Sequence, residues 1–420
     1  MKTLSLALRS LANRRTTALL TLCAIAVSVA LLLGVQKLRT AAREGFANTV
    51  SGVDLIVGAR SGQINLLLYS VFRVGDATAN VSWDTYQKVA RRSDVAWTIP
   101  LSLGDSHRGY RVLGTNIDYF RHYKFAGGRE LTFESGKPFA DLYDAVLGAE
   151  VARALGYKVG DPIVIAHGLG NVSFAKHEDK PFRVAGILAR TGTPVDRTVH
   201  VSLEAITAIH VDWQSGMRAL PGGRVDAQAA RAMDLTPASI TAFMVGMENR
   251  VMTFGLQRAV NEYRQEPLLA IMPGVALTQL WNLVGVADTA LMVVAAFVVL
   301  AGLLGMLTAI LTSLNERRRE MAILRSVGAR PRHVFTLLVA EAGLLAAAGV
   351  AAGVALCYGL MYAAKPLLER RFGLFLEPGG LTGYDIGLLA AIVAAALLMG
   401  ALPAWRAYRN TLADGLTPRV

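Results

Sequence analysis

Catalysis and cofactor binding draw on a short list of side chains, and in this 420-residue chain that list is thin: seven histidines, two cysteines and scattered carboxylates. A phosphate-cradling loop needs glycine upstream of a Lys-Ser or Lys-Thr pair, so that backbone amides and an ammonium surround the phosphates. Gly136-Lys137 is followed by Pro138 and lacks the upstream glycine. The chain is therefore expected to be no enzyme and to hold no cofactor of its own. His177-Glu178 has no second histidine one helical turn on, and neither a G-x-S-x-G elbow nor paired-cysteine zinc spacing occurs. Cys23 and Cys357 both sit in apolar segments, unsuited to bridging a soluble domain. His167 and His177 flank a glycine-rich stretch and His200 and His210 flank a helical one, which raises a metal or haem site outside the membrane. Histidines so spaced are more often plain loop, surface or turn positions, and no metal ligand is expected among them.

The elements that position these residues are set by a bilayer. The chain is 53% hydrophobic and 18% charged, too apolar for disorder and unlike a purely soluble globule. Spans are expected at residues 16–35, 289–315, 334–364 and 386–405; the third is free of charge from 342. At ~1.5 Å per residue, ~20 residues cross a hydrocarbon core of ~30 Å. The first span, preceded by Arg14 and Arg15, exceeds the ~7 to 15 apolar residues of a cleaved signal. Gly302 and Gly305, and Gly349 and Gly353, have spacings that permit close helix packing.

The net charge of +12 would suggest a polyanion partner on a soluble protein, so its distribution decides what it means. Residues 1–15 carry +4, residues 316–333 carry +4 and residues 406–420 carry +2, whereas 365–385 balance to zero. By the positive-inside rule both termini and the Arg-rich loop are cytoplasmic, and 36–288 and 365–385 lie outside. Only +3 remains on the outer segment, which leaves a nucleic-acid partner without a basic face.

Residues 36–288 are enough for a domain with its own core. Short strand-like runs recur, among them Val53–Val57, Val95–Leu101, Tyr110–Leu113, Phe182–Leu188 and Ile240–Val245. Ser202 is placed to cap a helix over Leu203–His210, Gly156 to end one from Glu150, and Arg250–Gln265 is the longest helical stretch. Val211–Asp234, with Pro221-Gly222-Gly223, reads as an extended or mobile connection. The expected fold class is membrane α-helical, four transmembrane helices, with a large inserted α+β extracytoplasmic domain.

The sharpest local feature is the loop of residues 316–333, continuing into the third span. Met321, Ile323, Leu324 and Val327 form an apolar stripe on a charged helix that Gly328 would end. Such a helix lies along the membrane surface or docks into a partner's groove. Glu341, eight residues after His333, is costly within a span, where an ionised acid at the centre costs on the order of 3 kcal/mol. Helix–helix bonding is favoured over an ion or proton role for it. Trp281, Tyr384, Trp405 and Tyr408 fall near span ends, as interfacial aromatics do.

The loop resembles the E-R-x-x-E-[IMF]-A-[IVL]-L-R-[SA]-[IVL]-G-A pattern of FtsX-like permeases of the MacB and lipoprotein-releasing ABC type, with Glu316, Arg317, Glu320, Met321, Ala322, Leu324, Arg325, Gly328 and Ala329 matching. The opening L-A-L-R-S-L-A-N-R-R is similar to that family's interfacial helix, here residues 1–15. V-L-G-A-E-V-A-R-A-L-G-Y-K-V-G-D-P-I-V-I followed by F-R-V-A-G-I-L-A is similar to its external core domain. L-P-A-W-R-A-Y-R-N-T-L-A-D-G-L resembles its C-terminal end, although Asn410-Thr411-Leu412 departs from the acidic-Pro pattern usual there. The resemblance implies a permease subunit in a bacterial inner membrane, paired with an identical or related permease and driven by a separate ABC ATPase that supplies ATP and Mg²⁺. It implies ATPase-coupling roles for Glu316, Arg317, Glu320, Met321, Leu324, Arg325, Gly328 and Ala329. The expected activity is movement of an extracytoplasmic substrate by export, efflux or lipoprotein release, with a periplasmic adaptor or lipoprotein as a further partner. The alternatives are a mechanotransmitting regulator of cell-wall hydrolases that transports nothing, and a solute receptor without an ATPase.

Overall fold

The computed structural model describes the chain except residues 1–6, 8, 13, 48, 169–176, 178, 215–216, 219–224, 317–322, 324–325, 327, 373–378 and 410–420. The helices that matter here are α1 (Arg15–Ala47), α2 (Trp83–Ala90), α3 (Ala149–Leu155), α4 (Leu203–His210), α5 (Thr253–Asn261), α6 (Pro273–Glu316), α7 (Pro331–Phe372) and α8 (Gly383–Arg409). The chain divides into two compact units. One comprises Met1–Ala41, Gly285–Arg371 and Leu376–Val420; the other comprises Ala42–Val284 with Phe372–Phe375.

In the helical unit, α1, α6, α7 and α8 are each long and apolar enough to cross a membrane. Each helix runs beyond its uncharged window. Lys37 and Arg39 continue α1 because straight-chain side chains lose little freedom in a helix. Prolines open α6 and α7, where a missing N–H costs nothing and the ring presets φ. Small residues bring the helices together. A Cβ on Gly349 would meet Ile25 Cγ2 at 2.7 Å, and one on Gly353 would meet Val29 Cβ at 2.7 Å and the Ala26 carbonyl at 2.8 Å. Gly302 stands against Ser28, whose hydroxyl donates within α1 to Ala24 O (2.7 Å) and across to Val298 O of α6 (3.1 Å). Gly305 has nothing within 4 Å of such a Cβ and takes no part in this packing.

The other unit is built on an eleven-stranded mixed sheet. Its strands are β1 (Leu55–Ala59), β2 (Val95–His107), β3 (Tyr110–Thr115), β4 (Phe133–Gly136), β5 (Asp144–Leu147), β6 (Pro162–Ile163), β7 (Ala166–His167), β8 (Phe182–Leu188), β9 (Thr198–Ser202), β10 (Ala242–Met247) and β11 (Leu268–Ile271). The order is β11-β1-β10-β2-β3-β9-β5-β8-β4, with β7 on β2 and β6 on β8. Pairing is antiparallel except for β9 with β3 and β8 with β5. Helices pack on its faces, so strands such as β1, β5 and β10 are buried at every position, and β1 and β10 read as continuous runs without a polar side chain. One core gathers Ile56, Leu101, Tyr119, Phe120 and Met244; another gathers Val112, Leu147, Ile163, Phe182 and Ile209.

Local signals set the helix ends. The Ser202 hydroxyl accepts the Ala205 N–H at 3.0 Å and starts α4, and Gly156, at φ +73°, ends α3. Arg250–Gln265 is shorter than expected: a 3₁₀ turn over Arg250–Met252 precedes α5, which stops at Asn261, whose Oδ1 accepts the Ala270 N–H. Val211–Asp234 is more than a connection. Trp213–Gln214 pairs with Met217–Arg218, and Asp226 caps a helix over Ala227–Arg231.

Candidate functional site

Glu316 closes α6, whereas Arg317, Glu320, Met321, Leu324 and Arg325 lie outside the described residues. Gly328 is exposed with φ +100°, a conformation in which any side chain is strained. Ala329 follows it half-buried, and His333 Nδ1 then accepts the Arg330 N–H at 3.1 Å as α7 begins. Glu341 is 5% exposed within α7, and its neighbour Ala342 packs where Gly400 of α8 leaves room. Sequence reading did not single out Lys37 and Asp385, which meet at 2.8 Å with both side chains buried. Lys37 also donates to Gly380 O at 2.8 Å, and Asp385 accepts the Thr382 N–H, so this ion pair is closed by backbone partners.

The outer histidines depart from expectation. His167 and His177 are not ordinary loop positions, and His210 is not a lone turn residue. His167 on β7 lies directly opposite Asp105 on β2, and the two approach at 3.0 Å. His210, the last residue of α4, brings Nε2 to 3.2 Å from His167 Nδ1 and 3.6 Å from Asp105 Oδ1. His177 is 1% exposed, and its ring lies 4.7 Å from that of His167 and 5.4 Å from that of His210. Burial pushes the Asp105 carboxyl up, but hydrogen bonds from His167 and His210 outweigh it and hold the group at about 2. Burial pushes His177 down to about 4, and the charges of His167 and His210 add to the shift. His210 is raised on balance, because Asp105 overcomes the effect of burial.

His200 does not join this group. It is fully buried on β9, contacting Val146 O at 3.3 Å, with its ring 5.1 Å from that of Tyr119 and tilted 41° to it. His107, also unremarked in the sequence, is occupied by Val164 O at 2.7 Å and the Tyr157 hydroxyl at 3.1 Å. The carboxylate of the cluster gave no sequence signal, since Asp105 lies 62 positions from His167 and only strand pairing joins them.

Four apolar helices together with a large mixed-sheet domain define the class: a membrane protein with an extracytoplasmic domain inserted after its first span. The MacB-like periplasmic core domain model matches residues 18–240, and the FtsX-like permease C-terminal model matches residues 292–412. The chain belongs to the MacB/FtsX-like permease family of ABC exporters. Among curated relatives, the pyoverdine export ATP-binding/permease protein PvdT of Pseudomonas savastanoi pv. phaseolicola is 24% identical over 348 residues, 80% of this chain and 48% of that one. The macrolide export ATP-binding/permease protein MacB of Shigella boydii is 31% identical over 176 residues, 39% of this chain and 26% of that one. The chain thus spans half or less of these relatives. The periplasmic region of MacB from Actinobacillus actinomycetemcomitans superposes with a TM-score of 0.34 at 10% identity, covering 56% of this chain and 95% of that one.

Proposed function

We propose that this chain is the transmembrane permease subunit of an FtsX/MacB-type ABC transporter and transmits ATPase-driven motion to its outer domain, which moves an extracytoplasmic substrate. The observation that carries the reading is the pairing of the two family matches, one over the first span and most of the outer domain and one over the last three spans, the second of which contains the loop of residues 316–333. The sequence of that loop mixes Glu316, Arg317, Glu320 and Arg325 with Met321 and Leu324, a composition suited to a soluble partner's groove. In this reading the partner is a separate ABC ATPase holding ATP and Mg²⁺, two permease chains act together, and both termini are cytoplasmic. Transport is preferred to pure mechanical signalling because the outer unit is large enough, with three apolar cores among the described residues, to enclose or displace a substrate.

The test is purification of the intact complex from native membranes, with identification of bound proteins and retained small molecules by mass spectrometry. Recovery of an ABC ATPase with a lipoprotein, adaptor or ligand is expected. A cell-wall hydrolase in place of these would establish the signalling alternative, and absence of any ATPase would overturn the coupling reading.

A further inference from the structure

Asp105, His167, His177 and His210 each offer one ligand atom, and these four atoms lie within 4.8 Å of one another. Four donors at ~2.0–2.2 Å from a tetrahedral zinc ion sit ~3.3 Å apart along each edge. The observed separations of 3.0 Å (Asp105–His167), 3.2 Å (His167–His210) and 3.6 Å (Asp105–His210) bracket that edge. We propose that these residues form a four-coordinate site for one zinc-class divalent ion in the extracytoplasmic domain, joining β2, β7, α4 and the segment that carries His177.

Three independent features build the site. Pairing of β2 with β3 slips between Leu103 and Ser106, and Asp105 lies in that irregularity, where strands re-aim side chains. His210 Nδ1 donates to Ile206 O at 2.6 Å, which orients Nε2 toward the cluster, where an ion would take the place of its proton; metal-bound histidines are oriented in this way by an outer carbonyl. Asp105 and His177 are 4% and 1% exposed, whereas the His167 and His210 side chains are 31% and 30% exposed, so the ligands are shielded on one side and open to entry on the other. The nearby cation is neutralised: Lys180 is buried against Asp212 at 2.8 Å and Asp179 at 3.5 Å.

The donor set selects the ion. Three imidazoles and one carboxylate suit zinc and its borderline neighbours, whereas calcium and magnesium take oxygen cages of six or more ligands. Four protein ligands make a closed site, so the ion's role is to staple the elements together rather than to activate water. The staple ties α4, immediately before the paired strands Trp213–Gln214 and Met217–Arg218, to β2.

The test uses the full chain in detergent, expressed without a polyhistidine tag, stripped with chelator and dialysed against Zn²⁺. One ion per chain is expected by elemental analysis, with a raised thermal midpoint. Affinity should fall by about tenfold or more in His167→Ala and His210→Ala, at least the loss that outer-partner changes alone produce. His122→Gln, outside the cluster, should leave binding unchanged. Co²⁺ loaded into the stripped chain should give the visible absorption of tetrahedral coordination, and His177→Asn, which keeps a polar side chain, should weaken it. Sub-stoichiometric binding, or binding indifferent to His167 and His210, would overturn the proposal. A variant that fails to fold is replaced by zinc protection of His167 and His210 from histidine-modifying reagents in the unaltered chain; no protection would equally overturn it.

Discussion

His200 shows what burial does to a single side chain. It is fully buried, and desolvation, reinforced by the charge of Arg73 and opposed by the Val146 carbonyl contact, lowers it to about 3. An unfolded histidine titrates near ~6.5, so a group depressed in the folded state adds stability that is present above that pH and lost as the pH falls toward about 3. Between pH ~7.5 and ~5 this single residue should remove about 2 kcal/mol. Thermal unfolding of the full chain in detergent at the two pH values should show a smaller midpoint difference for His200→Leu than for the parent. Equal differences would show that His200 is not the acid-sensitive group. At this scale the sequence was legible where the physics is local. The Ser202 cap and the Gly156 stop are decided within one turn of chain. The pairing of Lys37 with Asp385 was not, because their charges meet across 348 positions.

Elements obey longer rules. Gly353 lets α7 approach the backbone of α1 at Ala26, whereas Gly305 faces open space. Overpacking costs about 1–3 kcal/mol, so Gly353→Leu should lower the thermal midpoint and yield of the purified chain, and Gly305→Leu should leave both near the parent. Equal loss in both would refute the α1–α7 packing account. Spacing alone named four glycines as equals, and only the helix faces distinguish them. The loop after α6 invites a second test. Charge reversal of Glu316 and Glu320 together, or Gly328→Val at φ +100°, should reduce ATPase recovery or coupled transport by about tenfold while membrane insertion persists. Normal ATPase association and transport in these variants would remove residues 316–329 from the coupling role. The outer sheet was partly legible as well. β2, β3, β8 and β10 coincide with apolar runs in the sequence, but the order β11-β1-β10-β2-β3-β9-β5-β8-β4 places first and last strands side by side, which no local pattern encodes.

For the whole molecule, the +12 charge is concentrated on residues 1–15, 316–333 and 406–420. By the positive-inside rule this charge predicts that both termini and the loop are cytoplasmic. In a background lacking Cys23 and Cys357, an impermeant thiol reagent applied to intact spheroplasts should label Asp226→Cys and spare Ser326→Cys until the membrane is opened. The reverse pattern would invert the topology. By itself, the sequence determined that the chain spans a membrane four times, that a mixed domain is inserted after the first span, and that a permease-type loop follows the second, because hydropathy, charge asymmetry and short motifs are properties of contiguous residues. Only the tertiary structure decided that Asp105, His167, His177 and His210 converge, that Lys37 finds Asp385, and which glycines touch a neighbour. Those outcomes depend on strand order, register and helix facing, which are settled by burial of the whole core and leave no trace in residue spacing.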